Sequence, residues 1–218
     1  MLEVRGLNAG YGRVQVLFDA GLAVNAGEAV VLLGRNGAGK STTLKAIMGL
    51  VPALSGEILF NHRKLKGLEP FENARLGLGY VPEDRRIFTE LSVAENLEVG
   101  RQPPRAGVPG WSPERLYALF PSLAALRDRP GGRMSGGEQK LLAVARTLMG
   151  NPSAILLDEP SEGIAPLLAR QLAEMVLALK REGVGVLLCE QNAAFARRVA
   201  DRAYLIERGQ IREGALPG

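Results

Sequence analysis

Gly34-Arg35-Asn36-Gly37-Ala38-Gly39-Lys40-Ser41 is the stretch that decides the fold, because it matches the pattern G-x-x-x-x-G-K-[ST] of a phosphate-binding loop. The apolar run Ala29–Leu33 precedes it and predicts a buried strand, and a helix is expected to continue from the loop to about Met48. The glycines let the backbone curl so that its N–H groups point inward, and the helix dipole adds attraction for an anion. We therefore expect this loop to cradle phosphate groups.

Polar side chains at the end of this loop add specific contacts. Lys40 is expected to place its charge on the β- and γ-phosphates of a nucleotide, and the Ser41 hydroxyl is expected to ligate Mg²⁺. Thr42 can add a hydrogen bond to a phosphate. The candidate nucleotide-binding residues of the loop are Gly34, Arg35, Asn36, Gly37, Ala38, Gly39, Lys40, Ser41 and Thr42.

A second apolar run, Ala154–Leu157, is followed directly by Asp158-Glu159-Pro160. Alone, such a run can be a strand that ends in an exposed turn. In a chain that also carries a phosphate-binding loop, carboxylates at the C-terminal end of a buried strand lie where α/β sheets bind ligands. Asp158 is then expected to hold Mg²⁺, directly or through water, and Glu159 to polarise the attacking water as general base.

A third motif, Ser135-Gly136-Gly137-Glu138-Gln139, lies between the phosphate-binding loop and Asp158. Ser135 can cap a helix predicted from about Gly136 to Met149, with free backbone N–H groups at its start. A serine cap followed by two glycines is common, so the motif by itself is equally explained as the beginning of a helix. Its position between the other two motifs is what gives it a second meaning.

Strands and helices alternate through most of the chain, which predicts an α/β fold with a mostly parallel sheet. The strand-rich start suggests a small antiparallel layer, and the residues from about 85 to 150 suggest a helical insertion. A turn is expected at Leu54-Ser55-Gly56, and a flexible connector is expected in the Pro/Gly-rich stretch 102–110. The remaining predicted strands are Leu2–Leu7, Val14–Phe18, Glu57–Phe60, Val184–Cys189 and Ala203–Glu207, and the remaining predicted helices are Leu91–Val99, Pro113–Phe120, Pro166–Arg181 and Ala193–Ala200.

The composition is ordinary for a globular protein of 218 residues, with a formal net charge of +4. The sequence has no run of about 18 apolar residues and no apolar signal segment at its N-terminus, so we expect a cytoplasmic location. The single cysteine, Cys189, is expected to be a small apolar residue near the end of a buried strand. The basic residues are scattered without a nucleic-acid-binding motif, so no nucleic acid partner is expected.

With all three motifs in place, the chain resembles the ABC ATPase family, whose signature S-G-G-[EQ]-Q is matched by Ser135–Gln139. The resemblance implies a P-loop NTPase fold of the ABC ATPase type, with a mostly parallel core sheet, an antiparallel β layer and a helical subdomain. Residues 1–84 and 151–218 would form the RecA-like core and the β layer, and residues 85–150 the helical subdomain. It also implies a head-to-tail dimer that sandwiches ATP, in which Ser135, Gly136 and Gly137 contact the γ-phosphate bound to the opposite subunit.

Single positions follow from the same resemblance. Tyr11 lies where an aromatic ring stacks on adenine, although a surface tyrosine in a Gly-flanked turn is the alternative. Glu83 stands where the family has Gln, Gln191 where it has His, and Ala165 where it often has Asp. Gln191 can still donate a hydrogen bond to the γ-phosphate, and Glu83 can still reach Mg²⁺ or its water. We expect active hydrolysis, with Glu159, Lys40 and Gln191 as catalytic residues, Ser41, Asp158 and Glu83 as metal ligands, and ATP and Mg²⁺ as cofactors.

Longer segments resemble one branch of the family, the smaller ATPase subunit of importers for branched-chain amino acids. The segments that carry this resemblance are 81–88, 91–97, 158–166 and 189–193. It implies a second ATPase subunit (identical or similar), two transmembrane permease subunits and, indirectly, a periplasmic solute-binding protein. The expected location is peripheral, at the cytoplasmic face of the inner membrane.

Alternatives remain open at this point. Importers of urea and short amides use close relatives of this subunit, and exporter ATPases or soluble ABC ATPases that act on DNA or ribosomes are more distant readings. Phe88 and the segment Ile87–Leu91 are candidate residues for docking the permeases, and packing within the helical lobe is their alternative role.

Overall fold

Two β-sheets and eight α-helices make up the part of the chain that the computed structural model describes, residues 1–108 and 110–216. Pro109 of the predicted connector and the last two residues of the predicted core lie outside the described residues. The strands are β1 (Leu2–Tyr11), β2 (Val14–Val24), β3 (Ala29–Leu33), β4 (Ala53–Phe60), β5 (Arg63–Lys64), β6 (Leu78–Val81), β7 (Ala154–Asp158), β8 (Gly185–Glu190), β9 (Arg202–Glu207) and β10 (Gln210–Gly214). The helices are α1 (Lys40–Met48), α2 (Pro70–Arg75), α3 (Val93–Gly100), α4 (Pro113–Leu119), α5 (Pro121–Ala124), α6 (Gly136–Leu148), α7 (Pro166–Arg181) and α8 (Ala193–Val199), with a 3₁₀ turn at Gly131–Arg133.

The larger sheet has six strands in the order β10-β9-β3-β8-β7-β6. All neighbouring pairs are parallel except β10 and β9, so the predicted mostly parallel core is confirmed. Strands β7 and β8 are buried at every position and β3 at nearly every one, as expected where helices or a second layer cover both faces. Leu33 pairs with Glu190 and Asp158 with Cys189, so β3, β7 and β8 end at the same edge.

The predicted antiparallel layer is also confirmed, as a four-stranded sheet in the order β2-β1-β4-β5. The predicted turn at Leu54-Ser55-Gly56 is wrong, because these residues lie inside β4. The register of β4 against β1 shifts beside them, and Gly56 has a φ of 91°. A side chain there would meet the carbonyl oxygen of Gly6 at 2.4 Å. The Ser-Gly pair therefore marks an irregularity in a continuous strand pair rather than a turn.

Alternate residues of the central strands feed two apolar clusters, one on each face of the six-stranded sheet. In β3, Val31 packs with the helices α3 to α7, and Val30 and Leu32 pack with α1 and the antiparallel layer. The helices between residues 85 and 150 thus share one continuous cluster with a face of the sheet, and the division of the chain at residues 84 and 150 stays a prediction.

Within the described ranges, no helix has both the length and the apolar composition needed to span a bilayer.

The strands β1 and β2 run on to Tyr11 and Val24, beyond their predicted ends at Leu7 and Phe18, and short elements account for most of the other differences from the sequence prediction. The strands β5, β6 and β10 and the helices α2 and α5 were not predicted, and each has six residues or fewer. Tyr80 and Val81 belong to β6, where Tyr80 pairs with Leu156 of β7. Such short segments show little periodicity of their own, and their conformation follows from the neighbour that they pair with.

Candidate nucleotide-binding site

A pocket of about 320 Å³ opens where β3 and β7 end and α1 begins. It combines the loop after β3 with three carboxylates from two other segments of the chain. Its lining residues are Val16, Asn36, Gly37, Gly39, Lys40, Ser41, Thr42, Glu83, Glu159 and Glu162. The folded chain thus brings together most of the predicted loop residues with the predicted catalytic carboxylate and Glu83.

The loop curls because two of its glycines meet requirements that no other residue meets. Gly39, which caps the start of α1, has a φ of 114°, a region that side chains disfavour. A Cβ atom on Gly34 would lie 2.6 Å from both the side chain and the carbonyl oxygen of Ile206 in β9. The loop therefore folds back tightly over the sheet edge and presents its backbone to the pocket.

Lys40 spans the loop and reaches the end of β7. Its ammonium donates to the carbonyl oxygens of Gly34 at 2.8 Å and Arg35 at 3.2 Å, and it pairs with Glu159 Oε1 at 3.0 Å. Both charged side chains are almost fully buried, at 4% and 7% exposure. Burial raises the pKa of Glu159, but hydrogen bonds from Glu162, Lys40 and Gln191 outweigh it and hold this pKa below its ordinary value of 4.5. Glu159 is therefore ionised and paired with the predicted phosphate-binding lysine.

Ser41 and Asp158 meet at the base of the pocket, where Ser41 Oγ donates to Asp158 Oδ1 at 3.0 Å. A hydroxyl and a carboxylate are the hard oxygen donors that Mg²⁺ takes, and Glu83 adds a third oxygen donor in the pocket wall. The described residues contain no cluster of three or more His, Cys, Asp or Glu side chains placed to hold a metal ion by themselves. This small donor set fits a cation that keeps part of its ligation from water and phosphate.

Asp158 is almost completely buried, at 2% exposure, and this burial shifts the pKa of its carboxyl. Burial raises the pKa of this carboxyl to about 6 from an ordinary 3.8, and the bond from Ser41 opposes the rise only in part. A raised pKa means that the ionised carboxylate costs free energy in the folded chain. The cost is full above about pH 6 and is relieved as the pH falls through 6 towards 3.8.

We therefore expect Asp158→Asn to stabilise the nucleotide-free chain. The free energy of unfolding should rise by up to about 3 kcal/mol near pH 8, and the gain should vanish near pH 4. Urea unfolding at a series of pH values measures it. Asp128→Asn, at a carboxylate that is 85% exposed, is the matched control and should show no such pH-dependent gain. An equal gain for Asp158→Asn at every pH would contradict the explanation by charge.

Gln191 joins the loop to the Glu159 carboxylate. Its side-chain amide donates to both oxygens of Glu159, at 3.0 and 3.1 Å, and to Asn36 Oδ1 at 2.6 Å. The substitution of glutamine for the family's histidine thus leaves a neutral donor beside Glu159 at the mouth of the pocket. Its assignment as a catalytic residue stays a prediction.

Nine of the predicted site residues are absent from the described lining of the pocket: Tyr11, Gly34, Arg35, Ala38, Ser135, Gly136, Gly137, Asp158 and Gln191. Tyr11 ends β1 with 48% of its surface exposed, and Val16 of β2, which the sequence analysis missed, supplies apolar surface to the pocket instead. Ser135 caps α6 by accepting the N–H of Glu138, so the capping function considered from the sequence is present. Ser135 and Gly136 are exposed at this helix start.

Two buried charged residues beside the pocket also escaped the sequence analysis. Lys140 of α6 is 7% exposed and Glu190 at the end of β8 is 2% exposed. For each residue the sequence contained a weak indication of a buried charge. Lys140 stands among the apolar residues of α6, and Glu190 ends the apolar run of β8. A charged residue at a position that periodicity assigns to the core calls for a buried partner.

Comparison with known proteins places this geometry in a family. The ABC transporter family matches residues 17–162 of the chain. The high-affinity branched-chain amino acid transport ATP-binding protein BraG of Pseudomonas aeruginosa is 43% identical over 211 residues, which cover 97% of this chain and 91% of BraG. The lipopolysaccharide export system ATP-binding protein LptB of Acidithiobacillus ferridurans is 35% identical over all of this chain and 90% of its own.

Solved structures agree with the sequence relatives. The crystal structure of a nucleotide-free ATP-binding cassette from an ABC transporter superposes with a TM-score of 0.85 at 30% identity, and the match covers 100% of this chain and 92% of that one. The phosphate-binding loop, the buried Asp158-Glu159 pair and the shared architecture thus indicate the same family as the sequence relatives. The chain belongs to the ABC transporter family, as an ATP-binding subunit whose hydrolysis of ATP is coupled to transport.

Proposed function

We propose that this chain is the ATPase subunit of an importer for branched-chain amino acids. The observation that carries the proposal is the 43% identity to BraG over nearly the full length of both chains. The segments around Glu83, Ala165 and Gln191, where the chain departs from the wider family, are the same ones that resemble this branch in the sequence analysis.

Hydrolysis would begin with an exchange of partners at Lys40. A triphosphate that enters the pocket competes with Glu159 for the Lys40 ammonium, which lies 3.0 Å from the carboxylate. Without this cation, the burial that raises the pKa of Glu159 is no longer offset to the same extent, and the carboxylate becomes a stronger base. ATP binding thereby activates the residue that needs to accept a proton.

The chemical step then follows from the positions of Glu159 and Gln191. A water oxygen forms a bond to the γ-phosphorus while the bond from that phosphorus to the bridging oxygen of ADP breaks, and a proton of the water passes to Glu159. Gln191 orients the Glu159 carboxylate through its two hydrogen bonds. Mg²⁺, held by Ser41 and Asp158 with Glu83 nearby, would neutralise charge on the phosphates.

The site would be completed by a second ATPase subunit. Ser135 and Gly136 are exposed at the start of α6, where Ser135 caps the N–H of Glu138, and they are absent from the described lining of the chain's own pocket. A head-to-tail dimer, of identical or different subunits, would bring this helix start to the phosphates bound on the partner. Tyr11 would stack on the adenine at the outer side of the pocket.

The membrane partners would dock in a groove between α2 and α3. The groove has a volume of about 530 Å³ and exposes four large apolar side chains, Leu50, Phe71, Phe88 and Val99. Arg146 lies 5.1 Å from the centre of the Phe88 ring, so Phe88 both contacts the helical region and stays 47% exposed. One permease subunit docked here, and a second on the partner ATPase subunit, would hold the dimer at the cytoplasmic face of the inner membrane, and a periplasmic solute-binding protein would act on it through them.

Phe88→Ser tests this groove. We expect the variant to co-purify with the permeases at least about tenfold less well, because apolar anchors dominate such interfaces. Its basal ATPase activity should stay at the parent level. Phe18→Ser is the matched control, since Phe18 is similarly exposed at 42% but lies on β2. Equal losses of co-purification in the two variants would contradict docking at the groove.

The transported solute is tested with the assembled transporter. The chain is co-expressed with candidate permease subunits, and ATPase activity is measured in proteoliposomes with the binding protein and each solute in turn. Stimulation by leucine, isoleucine or valine is the expected result. Stimulation by urea or a short amide instead would assign the chain to that importer class.

Lipopolysaccharide export is the second candidate function. The specific observation in its favour is the 35% identity to LptB across the whole chain. It predicts that the co-purifying membrane proteins extract lipopolysaccharide and that branched-chain amino acids leave the ATPase rate unchanged. The proteoliposome measurement therefore separates the two candidates directly.

A further inference from the structure

Two buried side chains of opposite charge hold the loop Glu159–Glu162 that follows β7. On one side, Lys140 Nζ donates to the carbonyl oxygens of Glu159 at 2.6 Å and Glu162 at 2.8 Å. On the other side, Glu190 Oε1 accepts the N–H of Ser161 at 2.8 Å. The backbone on which the catalytic carboxylate stands is thus tied to two different elements.

Lys140 belongs to α6, the helix that starts at Ser135. Burial lowers the pKa of Lys140, and the negative charges of Glu162 and Glu190 oppose this effect. The two carbonyl oxygens replace the water that an exposed ammonium would have. A buried lysine that bonds to the main chain of a neighbouring loop, instead of forming an ion pair, fixes the position of that loop relative to its own helix.

Glu190 joins the same loop to Gln191. Its Oε2 accepts the N–H groups of Gln191 at 3.2 Å and Asn192 at 3.3 Å, while its other oxygen holds Ser161. The residue that orients the Glu159 carboxylate is therefore anchored to the Glu159–Glu162 loop. The helix α6, the loop and Gln191 form one connected unit.

We propose that Lys140 is a positioning residue that couples the start of α6 to the Glu159 carboxylate, and thereby one ATP site of the dimer to the other. The proposal rests on the head-to-tail dimer of the proposed function. In that dimer Ser135 contacts ATP on the partner, whereas Glu159 acts on ATP bound to its own chain. Five residues, about 7.5 Å of helix, separate Ser135 from Lys140, so a shift of α6 caused by the partner's ATP moves the Glu159 backbone directly.

A purely structural role for Lys140 makes different predictions. If the ammonium only satisfied two buried carbonyl groups, its loss would lower stability without a selective effect on the chemical step. If it positions Glu159, the loss should lower kcat and the cooperativity of hydrolysis while ATP affinity is retained. Lys180 provides the comparison away from the loop, because its ammonium also donates to a backbone carbonyl, that of Val199 at 3.1 Å, and it pairs in addition with Asp201 at 2.7 Å.

The experiment compares Lys140→Met, Lys140→Arg and Lys180→Met in the full-length chain. We expect Lys140→Met to lower kcat between about tenfold and a hundredfold, because a small displacement of a catalytic group has an effect of this size. The Kd for Mg-ATP should stay within about threefold of the parent, and the Hill coefficient should fall towards one. Lys140→Arg should recover part of kcat, since a guanidinium can donate to both carbonyls. Lys180→Met should keep the parent kcat and Hill coefficient.

The outcomes distinguish a failure of the positioning role of Lys140 from a failure of the proposed ATPase function. Lys140→Met with the parent kcat and Hill coefficient would overturn the positioning role, as would a loss of ATP affinity in proportion to kcat. A parent chain that binds no Mg-ATP and hydrolyses none, alone or with its membrane partners, would overturn the proposed function itself.

Discussion

Glu159→Gln is expected to bind ATP and to leave it unhydrolysed. The amide keeps the shape of the carboxylate and its place near Lys40 and Gln191, which lie within 3.1 Å of the Glu159 oxygens. It cannot accept the proton of the attacking water, and a general base contributes about a hundredfold to ten-thousandfold in rate. We therefore expect kcat to fall by at least about a hundredfold.

ATP affinity should rise in the same variant. The substitution removes a buried negative charge that competes with the phosphates for Lys40. Because hydrolysis no longer releases the nucleotide, an ATP-bound dimer should accumulate. Size-exclusion chromatography with Mg-ATP measures the dimer, and release of labelled phosphate measures kcat.

Glu174→Gln is the matched control for this prediction. It makes the same chemical change at an exposed side chain of α7, which pairs with Arg198 and is absent from the described lining of the pocket. It should hydrolyse ATP at a rate close to that of the parent. If Glu159→Gln also kept the parent rate, Glu159 would not be the general base.

Lys40→Ala should abolish nucleotide binding and also destabilise the chain. The ammonium is the only predicted cation of the phosphate-binding loop that is buried against Glu159, so its loss should weaken Mg-ATP binding by about a hundredfold or more. The same change leaves the Glu159 carboxylate buried without its ion-pair partner. Breaking a buried pair in this way costs about 3 kcal/mol of unfolding free energy.

A double variant distinguishes the two effects of Lys40. Lys40→Ala combined with Glu159→Gln removes the unpaired charge, so stability should return towards that of the parent while ATP binding stays lost. Isothermal titration and urea unfolding measure the two quantities separately. Lys45→Ala, one turn further along α1, is the control and should leave ATP affinity nearly unchanged. ATP affinity at the parent level in Lys40→Ala would contradict the assigned role.

The sequence alone predicted the structure correctly where a local pattern and its flanking residues determine the conformation. The bounds of β3 and α7 agree with the prediction, because β3 is an unbroken apolar run and α7 begins with Pro166 and keeps a helical period throughout. The conformation of the phosphate-binding loop was also predictable, because its glycines permit the curl and Lys40 directly follows Gly39 in the chain. The family resemblance likewise rested on short contiguous motifs, and the comparisons confirm it.

Prediction failed where conformation depends on a partner strand. Leu54-Ser55-Gly56 has the composition of a turn, yet pairing with β1 keeps it extended. The strand β10 is mostly exposed and polar, and it is ordered by its register against β9. In both cases hydrogen bonds to a distant segment outweigh local propensity.

The amino-acid sequence by itself determined the family and named the groups predicted to carry its chemistry: a phosphate-binding loop, a carboxylate predicted to hold Mg²⁺, a predicted general base and a helix start predicted to reach a second subunit. Only the tertiary structure decided how those groups are paired. Ser41 and Asp158 are 117 positions apart and meet at 3.0 Å, and Lys140 bonds to the main chain of the loop that carries Glu159. Spacing along a chain specifies neighbours within one element, whereas burial and the contacts between elements set the charge and position of each side chain.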